Sequence, residues 1–228
     1  LLGVAANQLM FFYGLARTTE INASLIMITT PILVLALSHF LIGERVTPRK
    51  MIGIASGAGG AFLLIGFGQD LSFGSVTATG DIFILGNATA YALYLVTVKP
   101  LMTKYHPMTV ITWVFFFGFF VVAAFGWEQF TAVEWQTFDW RVWASITYVV
   151  IGTTFFAYLL NIYAIGQVNP SVVSVYIYSQ PLVATVVALL IGTDHLTIIK
   201  VVAGLLIFLG VYLASQRART KTTPPSAR

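Results

Sequence analysis

The sequence predicts an all-α protein that crosses a membrane several times, and three observations support this. The chain is 58% apolar and only 9% charged, whereas a soluble domain carries about 25% charged residues. Its apolar residues form blocks of about 20, the length that crosses roughly 30 Å of hydrocarbon. One segment also occurs twice, a pattern that is typical of membrane transporters. We therefore predict a polytopic membrane protein.

The duplicated segment organises the chain. Residues 29–50 (TTPILVLALSHFLIGERVTPRK) align without a gap to residues 179–200 (SQPLVATVVALLIGTDHLTIIK), at a constant offset of 150 positions. Pro31 then corresponds to Pro181. Each copy is an apolar run with a proline near its middle, a short polar turn and a second apolar run. We interpret the copies as a duplicated set of membrane helices.

Eight apolar blocks predict eight membrane-spanning helices. Pro48 and Pro107 stand where proline favours a helix start. The stretch 68–80 is rich in Gly, Ser and Thr and predicts a loop between the two copies. The aromatic link 128–140 predicts a segment at the headgroup level, where Trp is enriched. The predicted spans are 1–16, 21–42, 48–67, 81–101, 108–127, 141–165, 171–192 and 196–215.

The loops predict an orientation. With the C-terminal tail in the cytoplasm, nine of the 12 Lys and Arg residues lie on the inner side, in agreement with the positive-inside rule. The turn at Glu44 is then cytoplasmic, whereas its copy at Asp194 is external. The second copy is therefore predicted to be inverted, and inverted repeats hold their substrate near the bilayer midplane.

The two copies differ in what precedes them. Two predicted spans, over 80–126, stand before the second copy and have no counterpart before the first, and Leu1 opens within an apolar run. We therefore expect two further helices before Leu1, so that eight of ten transmembrane helices are present. The predicted divisions are 1–67 as the remnant of the first repeat, 68–80 as the loop, 81–215 as the second repeat and 216–228 as a basic cytoplasmic tail.

Pro31 and Pro181 are candidate sites of a helix kink. Proline removes one backbone hydrogen bond and clashes with the carbonyl four residues earlier, which belongs here to Met27 and to Ile177. In hydrocarbon that carbonyl needs a partner from protein or cavity water. Two interpretations remain open: a bend whose exposed carbonyl lines a central cavity, and a bend that serves packing alone.

Polar residues inside the predicted spans are candidates for a substrate pocket. Asn87, Tyr91 and Tyr94 recur at helical spacing and so lie on one face of a helix. Asn and Gln in a membrane either bond across helices or contact solute and water, and both roles remain open. The pocket candidates are Asn7, Thr30, Asn87, Tyr91, Tyr94, Tyr158, Asn161, Tyr176 and Gln180.

Groups that could perform chemistry are scarce. His39 is a candidate proton site because imidazole titrates near neutrality, but it stands about one turn from Glu44, so an interfacial histidine is the alternative. No Asp or Glu lies deep in any predicted span, and the chain has no cysteine. The HExxH, GxSxG and phosphate-cradling motifs are also absent. We predict no catalytic residue, no metal site and no cofactor.

At this point the residues resemble a known family. The run 13–65, with its mid-helix proline, its Gly43, Glu44, Arg45 turn and its glycine-bearing last helix, resembles the EamA-type repeat of the drug/metabolite transporter superfamily. Residues 88–101 and 157–181 are similar to the first, third and fourth helices of the second repeat. The second copy departs from the pattern, with Thr193 where Gly43 would stand.

The resemblance implies a fold and an activity. The implied fold is ten helices in two inverted five-helix repeats, with a central pocket lined by the first, third and fourth helices of each. The favoured function is alternating-access transport of a small neutral or zwitterionic metabolite, which could be amino-acid-like, nucleobase-like or drug-like. The alternatives are a membrane scaffold or assembly subunit and, less favoured because catalytic groups are lacking, an intramembrane enzyme.

The same reasoning predicts partners and location. The expected partners are a small-molecule substrate and the lipid bilayer, with a homodimer left open and no nucleic acid, because the basic residues sit in short loops and the tail. The expected location is a bacterial inner membrane, with several passes and a cytoplasmic C-terminus.

Overall fold

The computed structural model describes residues 2–66, 77–192 and 195–216, and within these ranges every regular element is helical. The all-α prediction is therefore confirmed. The helices correspond in order to the predicted spans. They are α1 (Leu2–Leu15), α2 (Glu20–Ile42), α3 (Pro48–Gly66), α4 (Ala78–Thr103), α5 (Pro107–Ala132), α6 (Trp140–Gln167), α7 (Pro170–Ile191) and α8 (Ile198–Ser215).

Six of these helices are long and apolar enough to cross a membrane, as judged by length and composition. The other two are α1, which is shorter, and α3. Arg49 and Lys50 stand in the first turn of α3, and five glycines dilute the apolar character of the rest. The protein is thus a multi-pass membrane protein.

Two boundaries differ from the predicted ones. Helix α4 begins at Ala78, inside the predicted loop 68–80, of which residues 68–76 lie outside the described ranges. Helix α5 continues to Ala132, so the first five residues of the predicted link 128–140 are helical. That link was predicted too long because residues 128–132 contain neither Gly nor Pro, and nothing there interrupts the hydrogen bonds of the preceding turns.

Helix α4 lies at the centre of the described structure and packs against α1 and α2. Half of its most apolar window is buried, the largest share among the six spans. Its side chains Leu95 and Val98 join Val34 of α2 and Ile162 and Ile165 of α6 in one buried cluster. This cluster connects residues of the first copy to residues of the second.

Helices α3 and α8 pack against each other through small residues and run antiparallel. Gly53 faces Gly210 and Ala214, whereas Gly60 faces Ala203 and Ile207. At the 150-residue offset, Gly53 corresponds to Ala203 and Gly60 corresponds to Gly210, so the Gly53–Gly210 contact matches the Gly60–Ala203 contact. The two contacts are therefore exchanged by one two-fold operation. It also follows that the turns before α3 and before α8 lie at opposite ends of this pair.

Local irregularities recur at equivalent positions. A π-helical stretch opens α1 (Leu2–Ala6) and another runs through α6 (Tyr148–Phe156), and regular α-helix resumes after them at positions 150 residues apart. Helix α2 is interrupted at Ile28 and Thr29. Helix α7 contains a 3₁₀ turn over Tyr176–Tyr178. Both interruptions lie immediately before the two predicted kink prolines.

A left-handed glycine ends both of these interrupted helices. Gly43 has φ 67° after α2 and Gly192 has φ 78° after α7, a conformation that favours glycine at a helix C-terminus. The offset of 150 predicts that Thr193 occupies the position of Gly43. The second copy instead places its left-handed glycine one residue earlier, at Gly192.

We expect Gly60→Ala to destabilise the protein and Gly59→Ala to leave it unchanged or slightly more stable. A Cβ at Gly60 would lie 2.6 Å from the Ala203 carbonyl oxygen, whereas a Cβ at Gly59 meets nothing within 4 Å. Overpacking of this kind costs about 1–3 kcal/mol, while Gly→Ala in an open helix position gains up to about 1 kcal/mol. Thermal unfolding of both variants in one detergent tests this, and equal midpoints would contradict the observed packing.

Candidate functional site

A cavity of about 350 Å³ lies among α1, α2, α4, α6 and α7, and we call it the central cavity. No charged side chain occurs among the described residues that line it. Side chains from both copies of the duplicated pattern reach it. Six of the predicted pocket residues line it: Asn7, Asn87, Tyr91, Tyr158, Asn161 and Gln180.

The lining repeats the duplication of the sequence. Eight of the 12 lining residues form four pairs in which the two members stand 150 positions apart. Such a lining arises when a two-fold axis that relates the copies passes through the cavity. The pairs are Asn7 with Ala157, Gln8 with Tyr158, Phe11 with Asn161, and Met27 with Ile177.

Hydrogen bonds between helices hold the polar side chains in place. Asn87 Nδ2 donates to the backbone carbonyl of Asn7 at 2.7 Å, which joins α4 to α1. The Tyr158 hydroxyl donates to the Gly3 carbonyl at 2.5 Å and lies 3.3 Å from Asn7 Oδ1. Asn161 Nδ2 donates to the Tyr91 hydroxyl at 2.6 Å. Each amide therefore uses a donor to bond a neighbouring helix.

The same amides keep acceptors unused. Asn87 Oδ1 and Asn161 Oδ1 are buried, and neither accepts a hydrogen bond from the described residues. A buried polar atom without a partner costs about 1–3 kcal/mol. A solute with N–H or O–H groups would recover that cost if its binding shifted the lining enough to expose these oxygens. The unused acceptor oxygens of Asn87 and Asn161 therefore favour a ligand that donates hydrogen bonds.

Two of the cavities that adjoin the central one reach α7. A cavity of about 590 Å³ runs from Leu15 and Glu20, near the start of α2, to Gln180. Another, of about 600 Å³, lies along α6 and α7 near Gln167. Ile177 and Gln180 line all three cavities. The 3₁₀ turn of α7 therefore lies where the cavities meet.

The interruptions before the two prolines lie at this same place. Met27 and Ile177, whose carbonyls the prolines release from the helix, both line the central cavity. The Tyr178 hydroxyl donates to the Ile28 carbonyl at 3.1 Å, which connects the interruption in α7 to the one in α2. Pro181 lines the cavity near Glu20, whereas Pro31 is buried in the protein.

Four predicted residues lie elsewhere. Thr30 is fully buried, and Tyr94 is buried with its ring 6.3 Å from that of Tyr158, so both lie behind the lining. Tyr176 lines the cavity near Gln167 and is 55% exposed. His39 is exposed at the far end of α2, where its Nδ1 lies 3.1 Å from the Glu44 carbonyl oxygen. None of these four lines the central cavity.

Sequence reasoning missed the apolar part of the lining. Phe11 and Ala157 line the cavity but were not predicted. At the offset of 150 they correspond to the predicted residues Asn161 and Asn7, so adding the equivalent position of each candidate would have found both. It also missed the burial of Glu44, which belongs to a turn and yet is only 7% exposed. Hydropathy gives no signal for that burial.

The fold and the cavity define a class: a multi-pass helical membrane protein with an uncharged polar cavity enclosed by two similar halves. Comparison with known proteins names the family. The EamA-like transporter family matches residues 1–66 and 78–216. The chain belongs to this family, as the resemblance predicted, and it is accordingly a membrane transporter.

Individual relatives agree. An uncharacterised transporter of Archaeoglobus fulgidus is 28% identical over 217 residues, which cover 95% of this chain and 74% of the relative. The uncharacterised transporter YyaM of Bacillus subtilis is 25% identical over 94% of this chain and 70% of its own length. One solved crystal structure superposes with a TM-score of 0.77 at 19% identity, covering 94% of this chain and 74% of that one; this likeness shows the fold.

We expect Tyr91 and Asn161 to be energetically coupled. Tyr91→Phe and Asn161→Ala each remove the bond between α4 and α6, so the double variant should lose less stability than the two single changes together. Coupling energies of this kind in membranes are about 0.6 kcal/mol and reach about 1.7 kcal/mol. A double-mutant cycle on the free energy of unfolding measures it. The control pairs Asn161→Ala with Tyr212→Phe, whose side chain is 63% exposed on α8; equal coupling in both cycles would contradict the bond.

Proposed function

We propose that this transporter moves a small neutral or zwitterionic solute by alternating access, with the solute bound in the central cavity. The observation that carries the proposal is the lining itself, in which paired positions of the two halves enclose a polar space without charged side chains. A carrier whose halves are exchanged by a two-fold axis can open the same site to either side of a membrane. The proposal retains amino-acid-like, nucleobase-like and drug-like solutes.

The size and chemistry of the cavity support a small solute. Ligand pockets occupy about 300–1,000 Å³, and the central cavity of about 350 Å³ lies at the lower end of that range. Asn87 Oδ1 and Asn161 Oδ1 would accept from donors on the solute. Tyr91 and Tyr158 would cover its apolar part. A polyanion would find no cation among the described lining residues.

The charge distribution supports an orientation for this carrier. We place the turn that contains Glu44 and the C-terminal tail on the cytoplasmic side of a bacterial inner membrane, because nine of the 12 basic residues then face inward. The antiparallel packing of α3 and α8 agrees with this, since it puts the start of α3 beside the end of α8.

A scaffold role is the second candidate, and one observation favours it. Asn87, Tyr158 and Asn161 all bond to neighbouring helices, which is what a subunit needs if its polar residues only fix helix packing. In a scaffold, polar groups of the cavity would matter for stability and for nothing else. Flux measurements therefore separate the two candidates.

We expect saturable uptake into proteoliposomes for at least one member of a panel of neutral and zwitterionic solutes. Gln180→Leu should lower the uptake efficiency about tenfold, the effect of one lost hydrogen bond of about 1.4 kcal/mol. Gln136→Leu is the matched control, because Gln136 is an exposed residue between α5 and α6 that lines neither the central cavity nor the cavities that adjoin it. Absence of saturable uptake for the whole panel, or equal losses in both variants, would contradict the proposal.

A further inference from the structure

A buried ion pair lies at the end of α2. The left-handed Gly43 turns the chain back, and the Glu44 backbone N–H donates to the Ser38 carbonyl at 3.0 Å. The Glu44 side chain is thereby directed into the protein, where Oε1 accepts hydrogen bonds from Lys50 Nζ and from Ser171 Oγ. Glu44 and Lys50 are only 7% and 8% exposed. Removing two charges from water is costly, and good geometry must offset that cost.

This cluster joins the two halves of the molecule. Glu44 and Lys50 belong to the first copy, whereas Ser171 stands in the first turn of α7 in the second copy and is 2% exposed. Ser174, one turn further along α7, is fully buried, and its Oγ donates to the Ser171 carbonyl at 3.0 Å. The start of α7 is therefore held against the turn between α2 and α3.

The end of α6 is fixed beside it. Lys99 Nζ donates to the carbonyls of Ile165 and Val168, at 2.6 and 2.9 Å. These two residues lie directly before α7, so the whole turn between α6 and α7 is held against α4. The Glu44–Ser171 bond then decides whether α7 stays close to the first copy at this end.

In the sequence, the hydroxyl group of this bond is not repeated at the opposite end of the molecule. At the offset of 150, Ser171 corresponds to Ile21, which has no hydroxyl, and Lys50 corresponds to Lys200, whose Nζ donates to the His195 carbonyl at 2.9 Å. The cavity of about 590 Å³ extends toward that end, to Leu15 and Glu20. The two ends of the solute path thus differ in sequence at the position of Ser171.

We propose that Glu44, Lys50 and Ser171 form a gate that closes the passage between the two copies at the Glu44 end while the Glu20 end is open. The cavity near Gln167 reaches the Glu44 end but is lined by residues of the second copy alone, so it does not pass between the copies. This inference rests on the proposed alternating access and adds the residues that hold one end shut. Opening the gate separates Ser171 from Glu44. Because Glu44 Oε2 already accepts no hydrogen bond from the described residues, the carboxylate then keeps only its ion pair with Lys50 and the longer-range attraction of Lys99. The closed form is therefore favoured until another step of the transport cycle offsets the loss of the Ser171 bond.

A chain without cysteine makes this gate measurable by thiol labelling. Ser174→Cys introduces a thiol at a fully buried position behind the gate, and Ser24→Cys introduces one at the corresponding position of the first copy, which is exposed and lines the open cavity. Each thiol is placed separately in the complete chain, reconstituted in liposomes and labelled with a small maleimide. The labelling rate reports how often each end is accessible.

Adding Ser171→Ala should raise the labelling rate of the Ser174→Cys protein about tenfold, because it removes a buried hydrogen bond to a charged group, and should lower that of the Ser24→Cys protein. Ser171→Thr keeps the hydroxyl and should restore both rates. Ser145→Ala, which removes an exposed hydroxyl bonded within α6, should change neither. Lys50→Met should act like Ser171→Ala, whereas Lys104→Met, at an exposed position after α4, should not.

The outcomes distinguish this inference from the proposed function. Unchanged labelling at both positions in a Ser171→Ala protein that elutes and unfolds like the parent overturns the gate, even if solute is transported. A rise at both positions indicates general loosening and overturns it as well. The predicted opposite shifts, with rescue by threonine, support the gate whether or not any tested solute is moved. Loss of folding in Lys50→Met leaves the serine series as the deciding measurement.

Discussion

The structure depends on one constraint: a backbone carbonyl or N–H group in hydrocarbon must find its partner inside the protein. Uninterrupted helices meet that requirement by themselves. The two helices that contain Pro31 and Pro181 cannot, because each proline removes a bond, and both helices are interrupted just before it. The Tyr178 hydroxyl supplies a partner to Ile28 across the molecule. The irregular backbone therefore lies where the halves meet and where a cavity can form.

Contacts between equivalent positions give the molecule its organisation. The glycine faces of α3 and α8 exchange partners under the duplication, and the central cavity is lined by four pairs of equivalent residues. Helices α3 and α8 share a sequence pattern and present complementary surfaces to each other, so each copy packs against the other. Departures from this symmetry are then informative. The hydroxyl of Ser171 is not repeated at Ile21, so its contact with Glu44 can favour one of the two arrangements that the two-fold operation exchanges.

Much of this architecture could be predicted from the sequence, for identifiable physical reasons. Apolar blocks of membrane length gave the helices, and the offset of 150 gave the correspondence between Pro31 and Pro181. The polar residues Asn7, Asn87, Tyr91 and Asn161 were recognised as candidates because amides in hydrocarbon need partners. Length and composition thus identified both the fold class and half of the cavity lining.

The remainder depends on three-dimensional proximity that composition does not encode. Phe11 and Ile177 line the cavity as apolar residues and carry no polar signal. Thr30 and Tyr94 are polar but do not line the cavity. A helical face about 100° wide can contact a neighbouring helix as well as a cavity. Glu44 was assigned to a solvated turn, and only the left-handed Gly43 explains why its carboxylate is buried.

The central claim is that the two copies lie upside down with respect to each other in one membrane, and sidedness measures it most directly. Arg45→Cys and His195→Cys each introduce the only thiol of the chain, in the turns that precede α3 and α8. A membrane-impermeant maleimide applied to intact cells should label the second protein and not the first, and permeabilised cells should label both. Labelling of both proteins from the same side would contradict the inversion and, with it, the two-fold carrier described above.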